Sequence, residues 1–73
     1  SKKGKGIETW PNGYIYEGEF NDSKWHGTGT LKFPDGSSFS GEWKNNKMHG
    51  PGIFTWADGR VLKGTWNEGD YVK

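Results

Sequence analysis

The stretch HGTGTLKFPDG, residues 26–36, returns 23 positions later as HGPGIFTWADG, residues 49–59. Its histidine, its glycines and the aromatic residue before the turn keep their places, while most other positions change. The same period extends along the chain and sorts glycines into four columns: Gly4, Gly27 and Gly50; Gly6, Gly29 and Gly52; Gly13, Gly36 and Gly59; Gly18, Gly41 and Gly64. A fixed period of this length indicates a protein built by repeating one supersecondary unit.

The repeating unit has the pattern of a β-hairpin. YIYEGEF at 14–20 and GTGTLKF at 27–33 alternate with period two and lack helical spacing. The triplets PNG, PDG and ADG predict three-residue turns whose glycine takes a positive φ. The other connections, NDSKWH, KNNKMH and NEGDYV, are polar and predict longer loops. The sequence therefore predicts an all-β antiparallel meander of about six strands, at 4–10, 14–20, 27–33, 37–43, 50–56 and 60–66.

Strand alternation assigns the aromatic residues and the paired glycines to one face of this sheet. A ring can lie flat over the next strand only where no Cβ blocks it, so the glycines predict a floor for a row of rings. Each ring contact adds roughly 0.5–1.5 kcal/mol beyond area burial. The predicted face, which is also the predicted partner-binding groove, consists of Trp10, Tyr14, Tyr16, Phe20, Leu31, Phe33, Phe39, Trp43, Phe54, Trp56, Leu62 and Trp66.

Length and composition indicate one small ordered domain. The chain has 73 residues, of which 29% are hydrophobic, and its aromatic residues outnumber its aliphatic ones, which argues against disorder. We expect a single repeat module over 1–73 that is a fragment of a longer array. Its units are a part-repeat at 4–13, full repeats at 14–36 and 37–59, and a part-repeat at 60–73.

The residues that could carry chemistry do not form a recognisable catalytic or metal-binding set. There is no cysteine, and His26 and His49 share one column without a third ligand. The paired glycines do not open a helix, as a phosphate-binding loop requires. A net charge of +1 predicts no binding to nucleic acid. We therefore expect no enzyme activity, no cofactor and no metal.

The pattern Y-x-G-E-F/W, a polar turn, and H-G-x-G-x-x-x-F/W-x-D-G resembles the MORN (membrane occupation and recognition nexus) repeat. It covers residues 4 to about 70. Departures are Ser23 and Asn46 where the family often has glycine, and Leu62 and Thr65 in the last unit. The matching residues are Tyr16, Gly18, Glu19, Phe20, His26, Gly27, Gly29, Phe33, Asp35 and Gly36, then Phe39, Gly41, Glu42, Trp43, His49, Gly50, Gly52, Trp56, Asp58 and Gly59.

The resemblance implies an elongated, single-layer twisted sheet with a groove along its aromatic face. It implies a non-catalytic interaction or scaffold module that binds a protein segment, helical or extended, in that groove. Two alternatives are a peripheral phospholipid-binding module, with weak contact to anionic lipid through Lys24, Lys44 and Lys47, and a regulatory repeat region of a larger enzyme of the lysine methyltransferase or phosphoinositide kinase type. Self-association through sheet edges or the groove is also expected. The expected location is cytoplasmic, at the membrane periphery, cytoskeleton or cilium.

Overall fold

The computed structural model describes residues 3–73, so Ser1 and Lys2 of the predicted module lie outside the described residues. These residues form one antiparallel sheet whose strands follow one another in chain order. Its extents of 35 × 26 × 15 Å are those of a single layer. The predicted all-β meander is confirmed. The strands are β1 (Gly4–Thr9), β2 (Ile15–Asn21), β3 (Lys24–Lys32), β4 (Ser38–Lys44), β5 (Lys47–Thr55), β6 (Val61–Asn67) and β7 (Asp70–Tyr71).

A row of glycines crosses the sheet at right angles to the strands. The register pairs Gly6 with Gly18, Gly18 with Gly29, and so on through Gly41, Gly52 and Gly64. The ring of Tyr16 lies on Gly29, where an added Cβ would come within 2.6 Å of the Tyr16 Cζ atom. One repeat later, Phe39 lies on Gly52 in the same way. The predicted glycine floor is therefore confirmed.

The three-residue turns also form as predicted. In the first of them the amide of Gly13 donates to the carbonyl of Trp10, and the amide of Trp10 donates to the carbonyl of Tyr14. The same pair of bonds recurs at Phe33–Ser37 and at Trp56–Arg60. Gly13 has a φ of 102°, which only glycine adopts without strain, and its counterparts in the other two turns are similar. These turns hold the hairpins in register.

The predicted long polar loops are wrong. Each is a two-residue turn between continuous strands, with positive φ at both residues: Asp22 and Ser23, Asn45 and Asn46, Glu68 and Gly69. Such turns match the right-handed twist of the paired strands. They therefore extend β3 and β5 three residues earlier than predicted and add β7. The polar composition of these segments reflects the turn geometry, since short polar side chains tolerate positive φ better than others.

The hairpins are also tied to one another at this end of the sheet. The amide of Asn46 donates to the carbonyl of Trp25, and the Asn46 side chain accepts from the amide of Trp25 at 2.8 Å. One repeat later, the amide of Gly69 donates to the carbonyl of Met48. These two turns are therefore each tied to the hairpin that precedes them.

The two outer edges of the sheet differ. β1 has a pairing partner on one side only among the described residues. Near its end, β6 is covered by the C-terminal segment, because Thr65 exchanges backbone hydrogen bonds with Val72 and Lys73 at 2.8 Å. The expected edge-to-edge self-association stays a prediction, and β1 is the strand with the more open edge.

Candidate functional site

The aromatic face divides into a buried core and an exposed rim. Half of the predicted groove residues are less than a tenth exposed: Tyr16, Phe20, Leu31, Phe39, Trp43 and Trp66. They pack against one another in edge-to-face contacts, such as Tyr16–Trp43 at 5.7 Å and Phe39–Trp66 at 4.7 Å between ring centroids. Because these side chains are used by the sheet itself, the exposed area of this face comes from its other members.

Four of those other members form a continuous row beside the three-residue turns. We call Tyr14, Phe33, Phe54 and Trp56 the rim row. Successive ring centroids lie 5.5 Å, 5.9 Å and 4.9 Å apart. The first three rings are half-buried, and Trp56 is 38% exposed with the Arg60 guanidinium over its ring at 5.4 Å. The row offers a partly exposed apolar strip bounded by the Arg60–Asp58 ion pair.

Trp25 also belongs to the aromatic face, although sequence reasoning placed it in a loop. Its ring stacks on Tyr16 at 4.7 Å with an interplanar angle of 7°, and it meets Trp10 edge-to-face at 5.5 Å. Met48 and Tyr71 occupy the same column one and two repeats later and also pack on this face. The 23-residue period contained this column, so the signal was present in the sequence.

A cavity of about 270 Å³ lies where Trp25 meets the start of the rim row. It is lined by Trp10, Asn12, Tyr14 and Trp25. Trp10 and Tyr14 were predicted as groove residues, whereas Trp25 and Asn12 were not. The structure thus brings residues from β3 and from the first three-residue turn into one aromatic pocket.

The opposite face is polar and carries a wide, shallow concavity. It has a volume of about 780 Å³ and is lined across β1, β2 and β3 by glycine backbone and by side chains of both charges, with Lys5, Glu17 and Glu19 among them. Its aliphatic residues are separated from one another by polar neighbours; Ile53, for example, is paired with Ser40 and Lys63. This face therefore lacks the continuous apolar strip that the rim row provides.

The remaining polar groups serve the turns. The Asp35 carboxylate accepts hydrogen bonds from the amide and the hydroxyl of Ser37, and these bonds lower the pKa of Asp35. One repeat later, Asp58 accepts from the amide and the guanidinium of Arg60. Within residues 3–73 no three His, Asp or Glu side chains stand together as a metal site would need. The same residues contain no helix that could span a membrane.

Tyr16 is the titratable group that the fold perturbs most strongly. Its side chain has no exposed area, and its hydroxyl donates to the carbonyl of Glu19 at 2.9 Å. Burial, together with the nearby Glu19 carboxylate, raises the pKa of Tyr16 from 10.0 to about 12. The folded sheet therefore holds this phenol in its neutral form.

This shift predicts alkaline destabilisation. A pKa of about 12 when folded, against 10.0 when unfolded, gives stability that is complete below pH 10 and is lost as the pH rises through 12. Two units correspond to about 2–3 kcal/mol, since one unit is about 1.4 kcal/mol. Denaturant unfolding between pH 9 and 12 should show a steeper fall for the wild type than for Tyr16→Phe. Equal slopes for the two proteins would contradict the prediction.

Comparison with known proteins gives one family. The sequence model of the MORN repeat matches residues 2–13, 16–38 and 39–59. A comparison with curated proteins gives no match. MORN repeats are generally modules that interact with proteins or membranes, and they are generally non-catalytic.

Proposed function

The chain belongs to the MORN repeat family, and on that premise we propose that it is a non-catalytic module whose rim row binds an amphipathic helix of a partner protein. The observation that supports this is the row itself. Tyr14, Phe33, Phe54 and Trp56 form a continuous, partly exposed line of rings on a sheet that the described residues leave as one layer. Exposed apolar strips of this kind, rimmed by polar groups, usually mark binding surfaces.

The spacing of the rings favours a helix over an extended segment. The centroid steps of 5.5 Å from Tyr14 to Phe33 and 5.9 Å from Phe33 to Phe54 are close to the 5.4 Å pitch of an α-helix. A helix lying across the strands would therefore place one apolar residue per turn against Tyr14, Phe33 and Phe54, with Trp56 beside its end, 4.9 Å from Phe54. An extended strand repeats its side chains on one face about every 6.6–6.8 Å and would drift out of step. Apolar residues at helical spacing are the usual anchors of such helix-in-groove contacts.

Arg60 at the end of the row favours one polarity of the partner, with part of its charge offset by Asp58. Arg60 lies over Trp56 and bonds Asp58, with its side chain largely exposed. A helix whose C-terminal end, or an acidic side chain, lies near Arg60 would be favoured, because cations interact well with the C-terminal end of a helix dipole.

The test compares two doubly substituted proteins, one changed on the aromatic face and one on the polar face; Val61, at 54%, is more exposed than the half-buried Leu62. Trp56 and Ile53 are each 38% exposed, and Leu62 and Val61 are neighbours on β6 that point to opposite faces. We expect Trp56→Ser with Leu62→Ser to weaken partner binding at least about tenfold, which is 1.4 kcal/mol. Ile53→Ser with Val61→Ser should bind as the wild type does.

Partners would be enriched from lysate with each protein and quantified by mass spectrometry. A photo-crosslinking residue at position 56 would then locate the contact on an isolated partner helix. Thermal melts would establish that both variants fold. Loss of binding in the Ile53 and Val61 variant alone would move the site to the polar face. Binding to anionic vesicles that both variants retain, with no protein partner affected, would instead favour the membrane alternative.

A further inference from the structure

We propose that Trp10, Tyr14 and Trp25 form an aromatic cage that binds an alkylammonium group, namely the side chain of a free or methylated lysine. The cage shares Tyr14 with the rim row but does not depend on the helix proposal, because a small free cation is enough to test it. The cavity that these residues line with Asn12 has a volume of about 270 Å³. That volume accommodates an ammonium head group and part of its stem.

The two indole rings of the cage are nearly perpendicular, so they can approach a cation from two sides. The indole rings of Trp10 and Trp25 are 5.5 Å apart with an interplanar angle of 79°. Tyr14, the residue that precedes β2, provides a third ring. The electron-rich face of an aromatic ring attracts a cation within about 6 Å of its centre, and tryptophan does so most strongly. Three rings around one cavity can therefore act on the same charge.

The cage is held open by the packing behind it. Trp25 stacks on Tyr16 at 4.7 Å and meets Trp43 edge-to-face at 5.2 Å, and both of those residues are buried. The backbone of Trp25 is fixed in turn by its two hydrogen bonds to Asn46. Because the Trp25 ring is already ordered, a ligand would not pay to organise it, and such preorganisation favours affinity.

A carboxylate lies next to one wall of the cage. Glu8 lies on the aromatic face, paired with Tyr16 across the strands, and its Oε1 accepts from the Trp25 indole at 3.4 Å. In the next two units the same column holds Leu31 and Phe54. Glu8 thus places a negative charge on an otherwise apolar face, beside the Trp25 wall of the cage, although Glu8 does not line the cavity itself.

The other repeats serve as an internal comparison. Where the first unit has Tyr14, the next has Ser37 and the last has Arg60. Where Trp25 stands, the later units have Met48 and Tyr71. The combination of two tryptophans, a tyrosine and a carboxylate therefore occurs where the part-repeat 4–13 meets the first full repeat, and it does not recur later in the chain. The 23-residue repeat does not require it, since the later units fold without it.

The experiment is an NMR titration of the whole chain with choline and with its uncharged carbon isostere, 3,3-dimethylbutan-1-ol. The readouts are the indole N–H signals of Trp10 and Trp25 and the upfield shift of the ligand methyl protons. We expect saturable binding of choline and at least about fivefold weaker binding of the isostere, since only the cation gains from the ring faces. Lysine amides with zero, one, two or three methyl groups would then rank the occupants.

The variants separate the cage from the rest of the face. Trp10→Ala should weaken choline binding at least about tenfold, and Glu8→Gln about threefold, while Trp56→Ala at the far end of the rim row should leave it unchanged. The remaining indole signals would establish that each variant is folded, and Tyr14→Ala replaces Trp10→Ala if that one is not. Equal binding of the isostere, equal loss in Trp56→Ala, or no shift with any probe would each overturn the proposal.

Discussion

Gly29→Val and Gly52→Val are expected to lower the free energy of unfolding by more than about 2 kcal/mol each. An added Cβ at Gly29 would sit within 2.6 Å of the Tyr16 Cζ atom and 2.8 Å of its Cε1 atom. At Gly52 it would meet Phe39 Cε1 at 2.8 Å. Both rings are buried with no exposed area, so neither can move aside without opening the aromatic core. Thermal or urea unfolding monitored by tryptophan fluorescence would measure the loss.

Gly59 provides the control for this prediction. It has a φ of +97°, and a Cβ there would meet nothing within 4 Å. Gly59→Ala should therefore cost only the strain of a left-handed backbone, about 1–2 kcal/mol. Gly52→Ala has no such backbone strain but meets the Phe39 ring, and we expect it to cost more than Gly59→Ala. If the two alanine variants lost the same stability, the steric role of the floor would be wrong.

Much of the fold could be predicted because the repeat fixes the positions where side-chain size matters. Gly29 and Gly52 share a column, and so do the rings of Tyr16 and Phe39 that cover them. Two-residue alternation then assigns both columns to the same face. Repetition makes this inference strong, since one interpretation has to satisfy every unit at once.

The conformation of the two-residue turns, at the opposite end of the sheet from the three-residue turns, could not be predicted in this way. Segments such as NDSKWH look like loops by composition, because residues that adopt positive φ are also common in irregular structure. The structure shows a turn at Asp22 and Ser23, with β3 starting at Lys24 and Trp25 already on the aromatic face. The column of Trp25, Met48 and Tyr71 would have indicated strands here, since apolar residues seldom repeat at a fixed position in a loop.

The sequence predicts which face of the sheet carries the candidate site, but it does not predict which residues of that face are exposed. Alternation says which side of the sheet a residue occupies, and it says nothing about which neighbour covers it. Trp43 and Trp56 were assigned to one groove, yet Trp43 is 4% exposed and Trp56 is 38% exposed. The difference arises from the long-range contacts of Trp43 with Tyr16 and Trp25, which depend on the register and on the missed strand residues.

The second large expected effect is the loss of stability on truncating Trp43, with Trp56 as its comparison. Trp43→Ala should lower the free energy of unfolding by about 3–5 kcal/mol, as is typical when a buried aromatic side chain is truncated. Trp43 contacts the rings of Tyr16, Trp25 and Phe39, and its indole donates to the Gly29 carbonyl at 3.0 Å. A domain of 73 residues has a total stability of about 4–11 kcal/mol at the usual values per residue. The variant should therefore lose a large fraction of its total stability, and circular dichroism would detect the fall in its melting temperature.

Two further variants, Trp56→Ala and Trp43→Phe, test whether the loss of stability comes from truncating a buried ring. Trp56 is the most exposed ring of the rim row but still contacts Phe54, so its truncation should cost clearly less than that of Trp43, about 1–2 kcal/mol, while weakening partner binding. Trp43→Phe keeps a ring in the core but removes the bond to Gly29, and we expect an intermediate loss of about 1–3 kcal/mol. The pattern assigns stability to the buried rings and recognition to the exposed ones. A Trp56→Ala protein as unstable as Trp43→Ala would show that the rim row also holds the sheet together, and that its rings are not free to serve a partner.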